Sequence, residues 1–328
     1  MRTFTCGRCT QLVFFENSRC LHCGAELRFD WPSRDVVTQP GAPACANAAL
    51  AGCNWLAEDD GGGLCFSCAL TRTRPGDDPV ALQQLRDAEA AKRRLLFELG
   101  EIGLPIPSFR RQEGGLAFDL LSSAHEPVTT GHADGLITLD LAESDDAHRE
   151  QMRTEMGEPY RTLLGHFRHE VGHFYFPLLT TAPEALARAR ATFGDEREDY
   201  GAALDRHYEQ GPPDGWEEEH VSAYATMHAA EDWAETFAHV LHISDTLQTA
   251  AAYGLHADGP VQRPDLAADP RKPAAGLPDR LTDWLALSYA LNALNRSMGQ
   301  DDLYPFVLSP AVARKLGVVD ELIRSAAR

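Results

Sequence analysis

Residues 160–176 read Tyr160-Arg-Thr-Leu-Leu-Gly-His-Phe-Arg-His-Glu-Val-Gly-His-Phe-Tyr-Phe176, and the five from His169 to His173 decide how the rest of the chain is read. A helix brings residues four apart onto one face, so His169 and His173 can hold a single metal ion while Glu170 reaches toward its open position. Leu163, Leu164, Phe167, Val171 and Phe174 give this helix an apolar stripe, Pro159 suits its start, and Gly172 leaves room for another element to approach. His166, one turn earlier, is expected to lie beside the site or at the surface, because a fourth protein ligand would occupy the place that water needs.

Hydrolysis at zinc usually takes three protein ligands and one open position. The third ligand is sought in Glu231-Asp-Trp-Ala-Glu235, inside what reads as a second long helix over 221–247. Tyr224, His228, Glu231, Glu235, Ala238 and His242 follow spacings of three, four or seven and mark one face of it. Glu231 is the best candidate, with Glu235 and His228 as rivals. Glu235 is assigned to accept the free ring N–H of a ligand histidine and so fix its tautomer. Tyr224 is expected to aim its hydroxyl at the metal and stabilise an oxyanion.

All eight cysteines fall within residues 1–68. Cys6-Gly-Arg-Cys9 and Cys20-Leu-His-Cys23 form two facing knuckles, the spacing of a closed four-thiolate zinc site that supplies much of the folding free energy of so small a segment. Cys45, Cys53, Cys65 and Cys68 form a looser set with Gly61-Gly-Gly63 as a turn. A second four-thiolate zinc is the economical reading, since it leaves no free thiol; cross-pairing between the sets, or a redox pair at Cys65 and Cys68, are the alternatives. Such closed sites are structural. A ribbon of this kind serves to recruit substrate, to contact the catalytic domain, or to help form an oligomer or bind another protein partner.

A net charge of −19 and a pI near 5.0 argue against general affinity for nucleic acid or an anionic membrane surface. The first residues lack the apolar run of a secretory signal and no later stretch has the length of a membrane span, so a cytoplasmic location is expected, in which thiols stay reduced for metal binding. A length of 328 residues suits about two domains. The boundary is placed in the polar connection Arg72–Pro79, giving a zinc-ribbon domain over 1–75 and a catalytic domain over 76–328.

Within the second domain, 81–100 reads as an amphipathic helix carrying Leu82, Leu85, Leu95, Leu96 and Leu99. Leu116–Leu121 and Gly135–Leu141 read as strands, the second being taken as the sheet edge that would hold an extended peptide across the metal. Residues 182–191 read as a further helix, the acidic run 194–220 as either a lid or a solvated surface, 258–279 as an irregular crossing, and 281–298 as a helix. Ser309-Pro310 begins a short last helix. The fold class is α+β: a Cys-rich ribbon followed by a mainly helical zincin-like domain with a small sheet.

The His-Glu-x-x-His helix followed by Glu231-Asp-Trp-Ala-Glu235 resembles the gluzincin metallopeptidases. The full order of a Cys-rich head, Gly52-Cys-Asn-Trp55, Leu64-Cys-Phe-Ser-Cys-Ala-Leu-Thr-Arg-Thr73 and the helix ending at His173 resembles the bacterial "putative zinc-binding metallopeptidase" family with an N-terminal zinc ribbon. The resemblance covers nearly the entire chain. It implies His169, His173 and Glu231 as ligands of a catalytic zinc and Glu170 as general base, but does not supply the substrate; a peptide or protein is the substrate expected of such a zinc hydrolase. Two structural zinc ions complete the expected cofactors. The rival readings are an adaptor whose zincin fold is inactive, and a hydrolase of non-peptide amides.

Overall fold

The computed structural model describes residues 1–39, 41–58, 62–124, 126–155, 160–258 and 276–327. It is a mixed α+β architecture with a Cys-rich, zinc-ribbon-like N-terminal region and a mainly helical remainder carrying a small sheet. Two compact units divide it: Arg2–Met152 with Thr162–Phe167, and Met1 with Arg153–Arg161 and Arg168–Arg328.

In the first unit, β1 (Phe4–Thr5) pairs with β2 (Leu12–Val13) around the Cys6–Cys9 knuckle, a bridge between Arg19 and Glu26 brackets the Cys20–Cys23 knuckle, and β3 (Arg28–Asp30) pairs with β4 (Asp35–Val37) after it. So few backbone bonds do not stabilise a fold alone. Buried rings do: Phe4, Phe15 and Phe29 pack edge to face or tilted around Phe97 of helix α2 (Pro79–Glu101), and Trp55 packs on Phe15 and Phe29. Asp78 caps α2 by accepting the N–H groups of Val80 and Ala81. Its inner face buries Leu85, Leu95, Leu96 and Leu99 along with charged Glu89, Lys92 and Arg93. Lys92 Nζ lies 2.7 Å from Glu89 Oε1, so each of these charges is paired.

After the short helix α1 (Phe66–Ala69) the chain enters strand β5 (Thr71–Thr73), which joins β6 (Ala117–Leu121), β7 (Gly131–Ala133) and β8 (Leu136–Asp140) in one sheet of order β5-β6-β8-β7. The head thus runs straight into the sheet, and both belong to one compact unit that continues past residue 75. The strand read as an edge is not one. β8 is parallel to β6 on one side and antiparallel to β7 on the other, leaving β5 and β7 as the edges. The cause is a two-residue hairpin: Ala133 pairs with Leu136, and Asp134 and Gly135 both take positive φ, as Asp-Gly does in tight turns. A Cβ on Gly135 would also meet the backbone of Gly114 and Gly115.

Helix α3 (Asp146–Glu155) precedes α4 (Leu163–Leu179), which carries the His169–His173 segment. Pro159 lies outside the described residues, and α4 starts only at Leu163, where Thr162 Oγ1 accepts the N–H of Gly165. In the second unit follow α5 (Pro183–Phe193), α6 (Tyr200–Gln210), α7 (Ala229–Ala252), α8 (Leu277–Ser297) and α9 (Pro310–Ala326). The predicted helix over 221–247 therefore starts late: residues 224–226 form a 3₁₀ turn and His228 is extended. The last helix, expected to be short, has 17 residues, capped by Ser309 Oγ on the Val312 N–H. It packs on α7, where Lys315 Nζ meets the buried Asp232 carboxylate at 2.6 Å. Burial drives that carboxylate up to about 6, with Lys315 opposing. Most of the 258–279 segment lies outside the described residues. Among the described residues no helix is long and apolar enough to cross a membrane.

Candidate functional site

α4 and α7 pack closely because Gly172 has no side chain. A Cβ there would stand 3.0 Å from Ala234 Cα and 3.2 Å from its carbonyl oxygen. Trp233 of α7 donates from Nε1 to the Gly172 carbonyl at 2.8 Å, and its buried ring lies edge to face with Phe176. That approach brings Glu231 of α7 against the two histidines of α4. Donor atoms of His169, His173 and Glu231 all lie within 4.8 Å of one another. His169 Nε2 is 3.2 Å from His173 Nε2 and 3.0 Å from Glu231 Oε2, and His173 Nε2 is 3.4 Å from Glu231 Oε1.

These spacings fit a shared cation. Nitrogen and oxygen ligands about 2.0–2.1 Å from a tetrahedral zinc stand roughly 3.4 Å from each other. Glu231 Oε2 is buried and makes no well-aligned hydrogen bond although an imidazole nitrogen is beside it, which is the geometry of lone pairs converging on a common point. His169 Nδ1–H donates to Glu235 Oε1 at 2.6 Å, which leaves the Nε2 lone pair directed into the cluster. Ser222 Oγ in turn donates to Glu235 Oε2 at 2.7 Å. Burial would raise the Glu231 and Glu235 carboxyls, but the imidazoles outweigh it: Glu231 is held well below the carboxylate range and Glu235 at about 2. The buried Glu170 carboxyl, next to His169, is pushed up instead, by burial first.

His228, the rival ligand, is otherwise engaged. Its Nδ1 accepts the N–H of Ala230 as the cap of α7, and its Nε2–H donates to the Glu198 carbonyl at 3.1 Å. With both ring nitrogens used it has no lone pair for a metal. Histidine is a rare cap, so the sequence gives no warning that α7 begins there. Tyr224 does not share a helix face with Glu231, since it lies in the preceding 3₁₀ turn; its ring centroid is nevertheless 6.1 Å from that of His169. His166 Nδ1 lies 3.6 Å from Glu143 Oε2. Two residues absent from the sequence reading stand at the site: Ser222, on Glu235, and Tyr200, whose hydroxyl donates to Glu231 Oε1 at 3.1 Å. Asp199 is a recognisable cap for α6, but no local signal places that helix over Glu231.

The cysteines form two further groups, Cys6, Cys9, Cys20 and Cys23, and Cys45, Cys53, Cys65 and Cys68, each with sulfurs within 4.8 Å. Sulfurs about 2.3 Å from a tetrahedral zinc lie roughly 3.8 Å apart. Cys6 and Cys23 are 3.6 Å apart, Cys9 and Cys20 3.7 Å, and Cys53 and Cys65 3.5 Å, and all eight are unbridged. The cysteines do not cross-pair between sets. In the second group amide N–H groups of Cys65 and Cys68 point at the sulfurs of Cys45 and Cys65, and Arg93 supplies a positive charge near Cys53.

Residues 81–322 match a family model described as "Putative zinc-binding metallo-peptidase". The chain belongs to this metallopeptidase family. Residues 3–42, which hold the first cysteine group, match a zinc-ribbon domain. The chain is similar to uncharacterized proteins of Mycobacterium tuberculosis and Mycobacterium bovis, each 54% identical over 334 residues that span 98% of this chain and 96% of the relative. No solved structure matches it. Zinc is therefore the metal that both the family and the donor sets support.

Proposed function

We propose that the protein is a zinc-dependent peptidase of gluzincin type, with His169, His173 and Glu231 holding the catalytic zinc and Glu170 as general base. The observation that carries this reading is the convergence of three donor atoms from α4 and α7 beside a carboxylate that burial has made more basic. A zinc ion held by His169, His173 and Glu231 would supply Lewis acidity toward the peptide carbonyl and would let water lose a proton near neutral pH. Glu170 takes the proton from that water and passes it to the leaving amine. Glu235 keeps His169 in the tautomer that presents Nε2, and Ser222 keeps Glu235 turned toward His169.

The two cysteine groups serve as structural zinc sites, which need reduced thiols and agree with a cytoplasmic location. The functional division into a ribbon over 1–75 and a zincin-like domain over 76–328 follows chemistry, and the ribbon is the surface for a protein partner. The test is cleavage of a mixed quenched-fluorescent peptide library by the zinc-loaded protein and by Glu170→Gln. The variant is expected to keep its zinc and lose about 10²–10⁴-fold in turnover. Equal turnover in the two would remove Glu170 from the mechanism.

A further inference from the structure

We infer that one face of helix α6 determines specificity at this site: the rings of Tyr200 and Tyr208, with the carboxylates beside them, receive an arginine or lysine side chain of a peptide bound at the three-donor cluster. The inference rests on the peptidase reading above and deepens it by naming the class of substrate.

Helix spacing makes these rings a track. Tyr200, Leu204 and Tyr208 stand four residues apart in α6 and so line one side of it. The track begins at the donor set, because the Tyr200 hydroxyl donates to Glu231 Oε1 at 3.1 Å. From there it runs about 12 Å along the helix to Tyr208, the length of three to four residues of an extended peptide at about 3.3 Å each. Ring contacts fix α6 in this orientation. Tyr200 packs on His228 at 5.3 Å, His207 stands perpendicular to Tyr224 at 6.0 Å, and Tyr224 is in turn 6.1 Å from the ligand His169. Both tyrosines nevertheless stay open to solvent, Tyr200 at 43% and Tyr208 at 68% exposure.

Charge selects the occupant. Residues 194–220 hold ten Asp or Glu against two Arg. Of those two, Arg197 is closed by Asp195 at 2.6 Å, and Arg206 comes two residues before Tyr208 and so points to the opposite side of the helix. Asp205, one turn before Tyr208, and Glu209, next to it, are both exposed. Burial lowers the pKa of His207, so its ring carries no charge at neutral pH to repel a cation. A guanidinium or ammonium group is drawn to a tyrosine face with carboxylates beside it, while its alkyl stem covers the ring. An acidic side chain meets repulsion at the same place, and a neutral one gains only the packing.

The test measures binding apart from turnover. Calorimetry on the zinc-loaded protein compares alanine-based tripeptide hydroxamates that carry arginine, citrulline or glutamate at each position in turn; citrulline keeps the shape of arginine without its charge. At one position arginine is expected to bind about tenfold more tightly than citrulline, with glutamate weakest. That preference is expected to shrink to about two- to threefold in about 0.5 M salt, which screens exposed charges. In Tyr208→Leu and in Asp205→Asn it is expected to fall about threefold, with zinc content and melting temperature as in the wild type. Quenched-fluorescent peptides with the same replacements are expected to show the same order in kcat/KM. A wild type that prefers arginine hydroxamates but cleaves no peptide would refute the peptidase reading and keep the recognition face. Cleavage with no preference for arginine over citrulline would do the reverse. A preference undiminished in both variants would overturn the assignment to α6, as would a wild type that binds none of the hydroxamates.

Discussion

The ionisable residues around the centre are set by their neighbours. Glu235 is the clearest case: it holds His169 on one oxygen and Ser222 on the other. Replacing it by Gln leaves the shape but allows the amide to turn its NH₂ toward His169, so zinc affinity at this site is expected to fall about 10–100-fold, read by competition with a chelator. Affinity equal to the wild type would show that the His169 tautomer is fixed by something else.

A second residue, His239, makes a pH prediction. It is buried, donates or accepts at Nδ1 with the Tyr304 hydroxyl at 2.7 Å, and is lowered to about 4 by burial first, with the Arg168 charge adding and Glu235 opposing. The folded-state value lies below the unfolded value near 6.5, so nothing is lost above pH 6.5. As pH falls from 6.5 toward 4 the unfolded chain binds a proton that the folded chain refuses, and stability drops by roughly 3 kcal/mol across that window. His239→Gln removes this contribution, and its melting temperature is expected to fall less steeply than the wild type between pH 6.5 and 4. Parallel curves would assign the acid sensitivity elsewhere.

At the scale of elements, the site exists because two helices approach at Gly172. Gly172→Ala places a methyl group against the Ala234 backbone, which cannot move aside as a flexible side chain would. The expected cost is about 1–3 kcal/mol, seen as a lower melting temperature together with weaker zinc binding by the three-donor group. A variant as stable as the wild type would mean that the helices are held apart by other contacts.

The same elements show what could be read in advance. Helix periodicity located α2 and the His169–His173 segment of α4, because their apolar stripes are local signals. Cysteine spacing delimited the first thiolate group through its two short knuckles, and the second through the economy of leaving no free thiol. The start of α7 was missed because a histidine cap looks like a ligand until its partners, Ala230 and Glu198, are seen. The edge of the sheet was misplaced although Asp134-Gly135 is a strong turn signal; the three-residue β7 is too short to show a pattern of its own. Tyr200 stood in an acidic run whose charge suggested a lid or a solvated surface. Its contact with Glu231 spans 31 residues and follows from how α6 packs, which no local pattern encodes.

For the whole molecule, the described residues hold three donor groups that could each take a metal ion, and the proposed function assigns a zinc to each. Two are closed by thiolates, and the third is set by imidazoles and one carboxylate from separate helices. The most direct test is anomalous diffraction at the zinc edge from crystals of the zinc-loaded protein. Three peaks are expected, one of them about 2 Å from His169 Nε2, His173 Nε2 and a Glu231 oxygen, with no fourth protein atom at bonding distance. A density map with no peak between α4 and α7, or with Glu231 replaced there by another side chain, would contradict the account.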